Sequence, residues 1–152
     1  METMKLGVVG HGANKFNTPE LIAEAHERIR RNAEALDATH IVSGHSPLGG
    51  VDLYAEAVAQ EMGQEMVIHA PTRRTWSGPG GYKERNLAIA RDSDIVLVVV
   101  VDKLPPNFQG WRPPKGCYHC RNRNPLHVKS GGCWTAWQAK ERMWEIIEVP
   151  NG

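Results

Sequence analysis

The sequence predicts an α/β domain whose mostly parallel five-stranded sheet is covered by helices in a three-layer, Rossmann-like arrangement. Strand-like and helix-like segments alternate along the chain, which is typical of parallel sheets with crossover helices. The segment Ile95–Val101 is apolar at every position, as expected for a central strand that is buried on both faces. A length of 152 residues suits one domain with a sizeable core, so we expect a single domain over residues 1–152.

The first half of the chain predicts three strand–helix units. Thr18 is a good N-cap for the first helix because Pro19 follows at the first helical position. The second helix is expected to begin at Val51 and to stop at Gly63. The predicted strands and the third helix are Leu6–Val9, Thr39–Ser43, Met66–Ile68 and Tyr82–Arg91.

A long insertion, residues 102–130, interrupts the pattern after the apolar strand. It contains five prolines and no hydrophobic periodicity. Long segments without regular structure are uncommon in compact domains unless they are functional or held by a staple. A helix over Gly132–Met143 and a last strand over Glu145–Val149 are expected to follow it.

Composition excludes several classes of protein. The net charge of +1 gives no general attraction to nucleic acids or to membranes. No apolar signal segment precedes the first strand, and the longest apolar run is too short to span a bilayer. The three cysteines are an odd number, which argues against a complete disulfide framework. We therefore expect a cytoplasmic protein without a membrane partner.

All three cysteines lie in one short stretch together with histidines. Cys117 and Cys120 form a Cys-x2-Cys pair, His127 follows after six residues, and Cys133 follows after five more. Zinc prefers four tetrahedral nitrogen and sulfur ligands, and a site with four protein ligands is structural. The spacing thus predicts a structural zinc site. A redox pair at Cys117 and Cys120 is the alternative, and His119 is the rival to His127 as the fourth ligand.

Glycine-rich and polar loops follow the strands at one edge of the predicted sheet. Ligands of open α/β sheets bind at the carboxyl ends of the strands, where the strand order reverses. Glycines and helix starts admit a phosphate close to the backbone. The alternative to phosphate binding is a simple turn for the glycine segments and a hydrogen bond to the backbone for the loop histidines. The predicted ligand-binding and phosphate-binding residues are Gly10, His11, Ser43, Gly44, Gly49, Gly50, Arg85, Asn86, Ser130, Gly131, Gly132 and Thr135.

Two familiar nucleotide fingerprints do not fit. The loop Gly10–Lys15 lacks the third glycine of a dinucleotide-binding loop, and no Walker phosphate loop is present. Classical NAD-dependent oxidoreduction and ATP hydrolysis are therefore poorly supported.

Three short motifs stand out: Gly49-Gly50-Val51-Asp52 at the head of a helix, Glu84-Arg85-Asn86 followed by Ala90 and Asp94, and the late Ser130-Gly131-Gly132 with Thr135. Together they resemble the SLOG superfamily, a set of Rossmann-like domains related to the LOG lysine decarboxylase-like proteins and to DNA-processing protein A. The resemblance covers most of the chain except the insertion. It implies a pocket for a nucleotide or nucleotide-derived ligand, in a sensor or accessory role, and formation of homo-oligomers.

The LOG enzymes cleave the N-glycosidic bond of nucleoside monophosphates, and their signature is only partly present. Gly131, Gly132 and Thr135 match it, but Gln138 stands where the family has a catalytic glutamate. Glutamine cannot act as a carboxylate base, so the resemblance favours binding over this hydrolysis.

A nucleotide hydrolase remains the alternative function, and its catalytic residues are unknown. The candidates are Asp52, Glu56 and His11. For the two carboxylates we favour a solvated helix face over a catalytic pair.

A nucleic-acid-binding module is a third possibility, because the insertion is rich in basic residues. We rank the role of orienting an anionic small ligand first, since the basic segment leads into Ser130. The basic residues of the insertion are Lys103, Arg112, Lys115, Arg121, Arg123 and Lys129.

Overall fold

Five parallel strands form one sheet in the computed structural model, which describes residues 2–113, 116–120 and 126–150. The strand order is β3-β2-β1-β4-β5, and each neighbouring pair runs parallel. This architecture confirms the predicted α/β fold class. The strands are β1 (Lys5–Gly10), β2 (His40–Ser43), β3 (Glu65–Ile68), β4 (Ile95–Val101) and β5 (Arg142–Ile147).

Four α-helices connect the strands in the described part of the chain. They are α1 (Pro19–Ala35), α2 (Val51–Met62), α3 (Tyr82–Asp92) and α4 (Gly132–Gln138). The Thr18 side chain accepts a hydrogen bond from the Leu21 N–H at 3.2 Å, as expected of an N-cap. Gly63 ends α2 with a φ of 69°, the left-handed conformation that glycine adopts without strain. Both predicted helix boundaries are confirmed.

The apolar run of β4 serves both faces of the sheet. Leu97, Val99 and Val101 pack into one core cluster, together with α1 and α2. The alternate residues Val96, Val98 and Val100 join a second cluster with α3 and α4. Because successive side chains of a strand point to opposite faces, a strand covered on both sides must be apolar throughout.

The last helix and the last strand differ from the prediction in their extent. The expected helix over Gly132–Met143 ends five residues earlier, and β5 spans Arg142–Ile147 rather than Glu145–Val149. The cause is strand pairing, because the register aligns Arg142 with Val96 near the start of β4. The Arg142 Nη1 atom also donates to the Ala139 carbonyl at 3.0 Å, just past the helix end.

The strand order places a reversal point between β1 and β4. The chain moves from β1 outward to β2 and β3, and then returns to add β4 on the other side of β1. The carboxyl end of β1 at Gly10 therefore lies where a doubly wound sheet leaves a crevice. The described residues of the insertion contain no helix or strand. No helix in the described ranges is long and apolar enough to cross a membrane.

Candidate metal centre and strand-end pocket

The four residues of the predicted metal set come together in the structure. Cys117, Cys120, His127 and Cys133 each offer one ligand atom, and these atoms all lie within 4.8 Å of one another. All four residues are buried. The cysteines belong to the core cluster on the α3 and α4 side of the sheet. Three residues come from the insertion and one from α4, so the group joins the insertion to the sheet.

The distances within this group suit a tetrahedral ion. The His127 Nε2 atom lies 3.4 Å from the Cys120 sulfur and 3.8 Å from the Cys133 sulfur. Ligand atoms about 2.0–2.3 Å from a tetrahedral zinc lie about 3.5–3.8 Å from one another. Because no two ligand atoms are more than 4.8 Å apart, a contraction of at most about 1 Å brings all four atoms to bonding distance.

The neighbours of the ligand atoms orient them. The His127 Nδ1–H donates to the Val128 carbonyl at 2.7 Å, which leaves the lone pair on Nε2, the atom that faces the cysteines. The Trp144 indole N–H donates to the Cys133 sulfur at 3.4 Å. The Cys120 N–H bonds the Cys117 carbonyl at 3.1 Å and closes the turn between the first two ligands. Donation of N–H groups to sulfur favours the thiolate form that binds metals.

The three thiols perturb one another strongly. A hydrogen bond with Cys133 lowers the pKa of Cys117 to about 4, and the same bond raises the pKa of Cys133. Burial raises the pKa of Cys120. Three buried thiolates repel one another, so without a cation only part of the group ionises. A divalent metal removes this conflict because it replaces the protons.

The geometry bears on the two alternatives for this group, a redox pair at Cys117 and Cys120 and His119 as the fourth ligand. All three cysteines are free thiols and no disulfide joins them. His119 does not belong to the group; its ring packs against Tyr118, with the ring centroids 4.2 Å apart. The imidazole of His127 is 2 % exposed and occupies the position among the sulfurs.

A cavity of about 260 Å³ opens at the carboxyl end of β1. It lies at the reversal point of the sheet, between the loop after β2, α3 and the start of α4. Eight of the residues considered at the sequence level line it: Gly10, Gly49, Asp52, Arg85, Asn86, Gly131, Gly132 and Thr135. We refer to it as the strand-end pocket.

Two polar atoms of the pocket residues have no hydrogen-bond partner among the described residues. They are the Arg85 Nε atom and the Thr135 hydroxyl, and both are buried. The Arg85 guanidinium is held in place, because its Nη1 donates to the Gly44 carbonyl at 2.6 Å and lies 3.6 Å from the Asp52 carboxylate. A buried donor without a partner costs about 1–3 kcal/mol, and a ligand oxygen would relieve that cost.

The carboxylates of α2 are more buried than the sequence suggested. The expectation of a solvated helix face is wrong, because the side chains of Asp52 and Glu56 are only 11 % and 14 % exposed. Burial raises the pKa of Asp52 to about 6, although the nearby Arg85 opposes this effect. Glu56 accepts hydrogen bonds from Ser43 and from the ring of His45, both at 2.9 Å. Of the two, only Asp52 lines the pocket.

Other predicted ligand residues support the loops and do not line the pocket. The ring of His11 is 4 % exposed. Its Nε2–H donates to the carbonyls of Val128 and Lys129, both at 3.1 Å. Its Nδ1 accepts from the Val101 N–H at 3.2 Å. Burial lowers the pKa of His11 to about 3, so this histidine is neutral and ties β1, β4 and the insertion together.

Ser43, Gly44 and Gly50 have similar supporting places. The Ser43 hydroxyl donates to the Asp52 carbonyl at 3.1 Å. A side chain at Gly44 would collide with the Arg85 guanidinium, because an added Cβ would lie 2.1 Å from Nη1. Gly50 has a φ of 80° and lies so close to the first loop that a Cβ would meet the His11 carbonyl at 2.4 Å.

The metal group and the pocket share one segment of chain. Cys133 is a member of the metal group, and its neighbours Gly132 and Thr135 on α4 line the pocket. The Ser130 hydroxyl accepts from the Gly132 N–H at 3.2 Å, and the Cys117 thiol lies 4.0 Å from the Ser130 carbonyl. The segment from Ser130 to Thr135 therefore connects the metal group to one wall of the strand-end pocket.

Several residues that line the pocket are not among the ligand-binding residues predicted from the sequence. Trp76 and Tyr82 come from the loop before α3 and from its first residue, while Ser46 and Leu48 come from the loop after β2. A tryptophan in a segment rich in proline and glycine was the available signal, but core packing is the commoner role of tryptophan. The basic residues Lys115, Arg121 and Arg123 of the insertion lie outside the described residues.

No protein-family model matches this chain, and comparison with curated proteins found no similar one. The functional proposal therefore depends on the metal group and on the strand-end pocket.

Proposed function

We propose that this protein binds a nucleotide or nucleotide-derived ligand in the strand-end pocket and that a structural zinc ion holds one wall of that pocket. The observation that carries the proposal is the pair of buried, unpartnered polar atoms on Arg85 and Thr135, beside a buried Cys3His group on the adjoining segment. An accessory or sensor role, as implied by the SLOG resemblance, agrees with this arrangement.

The zinc assignment is supported by the donor set. Three sulfurs and one imidazole nitrogen are soft and borderline ligands, which favour zinc over magnesium or calcium. Because the protein supplies all four ligands, no position remains for a water or a substrate. The bound ion would hold the insertion and α4 together and would not take part in a reaction.

The ligand assignment is supported by the chemistry of the pocket walls. Arg85 offers a cation and Thr135 a hydroxyl, a combination that suits a phosphate or another oxyanion. Asn86 and Asp52 also line the pocket and can bond the hydroxyls of a sugar. The volume of about 260 Å³ lies just below the range of small-molecule pockets, which start at about 300 Å³. A mononucleotide fits this scale better than a dinucleotide.

Titration with AMP, GMP, cyclic AMP and ADP-ribose tests the proposal by calorimetry and thermal shift. We expect saturable binding of at least one of these probes, with an increase in melting temperature. Thr135→Val removes the hydroxyl and keeps the shape, so it should weaken binding about 3- to 10-fold. It should not lower the stability of the free protein and should raise it by up to about 1–3 kcal/mol, since the buried hydroxyl has no partner among the described residues.

Thr72→Val is the matched control, because Thr72 is exposed and does not line the pocket. Its affinity for the probes should equal that of the wild type. The absence of binding by all four probes would contradict the proposal, and so would equal effects of the two threonine variants.

Hydrolysis of the nucleotide is the second candidate function, and one observation favours it. The carboxyl of Asp52 lines the pocket with a pKa of about 6, so part of it is protonated near neutral pH, as a general acid requires. Release of free adenine from AMP, abolished in Asp52→Asn, would support this function. Binding of AMP without release of adenine or phosphate would support binding alone.

A further inference from the structure

Trp76 is a large apolar side chain that remains 48 % exposed while it lines the strand-end pocket. Leu48, which lines the same pocket, is 71 % exposed. Arg85 and Thr135 are much more buried, so the polar residues form the inner part of the pocket and the two apolar side chains form its mouth. An exposed apolar pair at the mouth of a cavity indicates contact with an apolar part of a ligand.

The indole of Trp76 is held in a fixed position. Its ring meets Trp134 edge to face, with the ring centroids 4.9 Å apart and an angle of 81° between the planes. An edge-to-face contact covers at most one face of the Trp76 ring, and the side chain stays 48 % exposed, so part of the ring surface is open to a ligand. Trp134 follows the metal-group residue Cys133 on α4. The metal group therefore anchors the helix on which this partner ring is carried.

The backbone around Trp76 is also fixed. The Trp76 carbonyl accepts a hydrogen bond from the Lys83 N–H at 2.9 Å, and the neighbouring Thr75 carbonyl accepts from the Tyr82 N–H at 2.8 Å. These bonds attach the loop to the first turn of α3, which carries Arg85. A ring that is placed before the ligand arrives loses little conformational entropy on binding.

We propose that Trp76 stacks on the aromatic base of the ligand and thereby determines specificity, so that the pocket takes nucleotides and discriminates against sugar phosphates that lack a base. This inference depends on the proposed nucleotide-binding function. Stacking between a base and an aromatic side chain contributes about 1–3 kcal/mol, which corresponds to about 5- to 150-fold in affinity. The apolar side chain of Leu48 also lines this pocket.

Calorimetric titration with AMP, GMP, ADP-ribose and ribose 5-phosphate tests the inference on Trp76→Ala, Trp76→Phe and Trp111→Ala. The Trp76→Ala variant should bind the base-containing probes about 5- to 150-fold more weakly than the wild type and ribose 5-phosphate within about twofold of it. The Trp76→Phe variant should recover most of the loss. Trp111 is 74 % exposed and does not line the pocket, so Trp111→Ala is the matched control.

Equal losses for nucleotides and for ribose 5-phosphate in Trp76→Ala, or no loss for either, would overturn the stacking role and leave the proposed function standing. Equal weakening by the phenylalanine and alanine variants would also overturn it. A wild-type protein that binds no base-containing probe would remove both proposals together. If the alanine variant does not fold, Trp76→Leu takes its place: because leucine offers no aromatic face, the ratio of AMP to ribose 5-phosphate affinity should fall about 5-fold or more below that of the wild type, and an unchanged ratio would overturn the stacking role.

Discussion

Replacement of His11 by glutamine should reduce the sensitivity of the fold to acid. The neutral ring of His11 bonds three backbone groups, two carbonyls through Nε2 and the Val101 N–H through Nδ1. A protonated ring would place a second N–H against the N–H of Val101. Burial of the ring lowers the pKa in the folded protein to about 3, compared with about 6.5 in the unfolded chain.

The expected magnitude follows from these two pKa values. Because the pKa of the folded state is lowered, the unfolded chain takes up the proton first, and stability is lost as the pH falls through 6.5 towards 3. Between pH 7 and pH 5 the wild type should lose about 2 kcal/mol through this histidine alone. Glutamine does not titrate and can still donate a hydrogen bond, so His11→Gln should lack this part of the loss.

Urea denaturation at pH 7 and at pH 5 measures the difference, with zinc at saturation in every sample. The wild type should lose about 2 kcal/mol more than His11→Gln over this range. The lower stability that the variant shows at both pH values, from imperfect replacement of three hydrogen bonds, cancels in the comparison. An equal loss in the two proteins would refute the assignment of His11 as a buried, neutral side chain that connects β1, β4 and the insertion.

Three further predictions concern the pocket and its walls. Asp52 has a raised pKa of about 6 in the folded protein, so stability should fall by at most about 3 kcal/mol as the pH rises from about 4 through 6. In urea denaturation, Asp52→Asn should show a flatter dependence of the free energy of unfolding on pH. An equal pH dependence in the variant and the wild type would contradict the raised pKa of Asp52. Gly132→Ala should destabilise by about 1–3 kcal/mol, because the new Cβ would lie 2.9 Å from the Gly10 N atom and 3.0 Å from Val9. Gly131→Ala, with no atom within 4 Å of the added Cβ, should cost much less in the same denaturation, and equal costs would argue against close packing. Zinc removal by a strong chelator should weaken AMP binding in calorimetry. An unchanged affinity would show that the strand-end pocket does not depend on the metal group.

The central sheet was predictable because its physical signal is local. A strand that must be covered on both faces has to be apolar at each position, and Ile95–Val101 meets that condition. The start of α1 at Thr18 and the stop of α2 at Gly63 follow from capping chemistry, which involves only a few neighbouring residues.

The boundary between α4 and β5 was not predictable from local pattern. The segment after Gln138 has helix-forming residues, yet pairing with β4 draws Arg142 into a strand. Tertiary pairing supplies more hydrogen bonds and burial than the helix propensity of a few residues can offset.

The site was predictable in its residue types and less so in its arrangement. The spacing of the three cysteines and His127 predicted a four-ligand metal site, and these four side chains lie close together in the structure. The spacing could not reveal that His11 turns inward or that Asp52 is buried beside Arg85. Those outcomes depend on contacts between residues that are distant in the chain.

The metal content of the purified protein tests the account most directly. Protein prepared without added metal, and analysed by inductively coupled plasma mass spectrometry, should contain about one zinc per chain, and Cys120→Ala should contain little. A wild-type chain that is fully folded, free of metal and still binds AMP would contradict the claim that an ion at Cys117, Cys120, His127 and Cys133 holds the pocket wall.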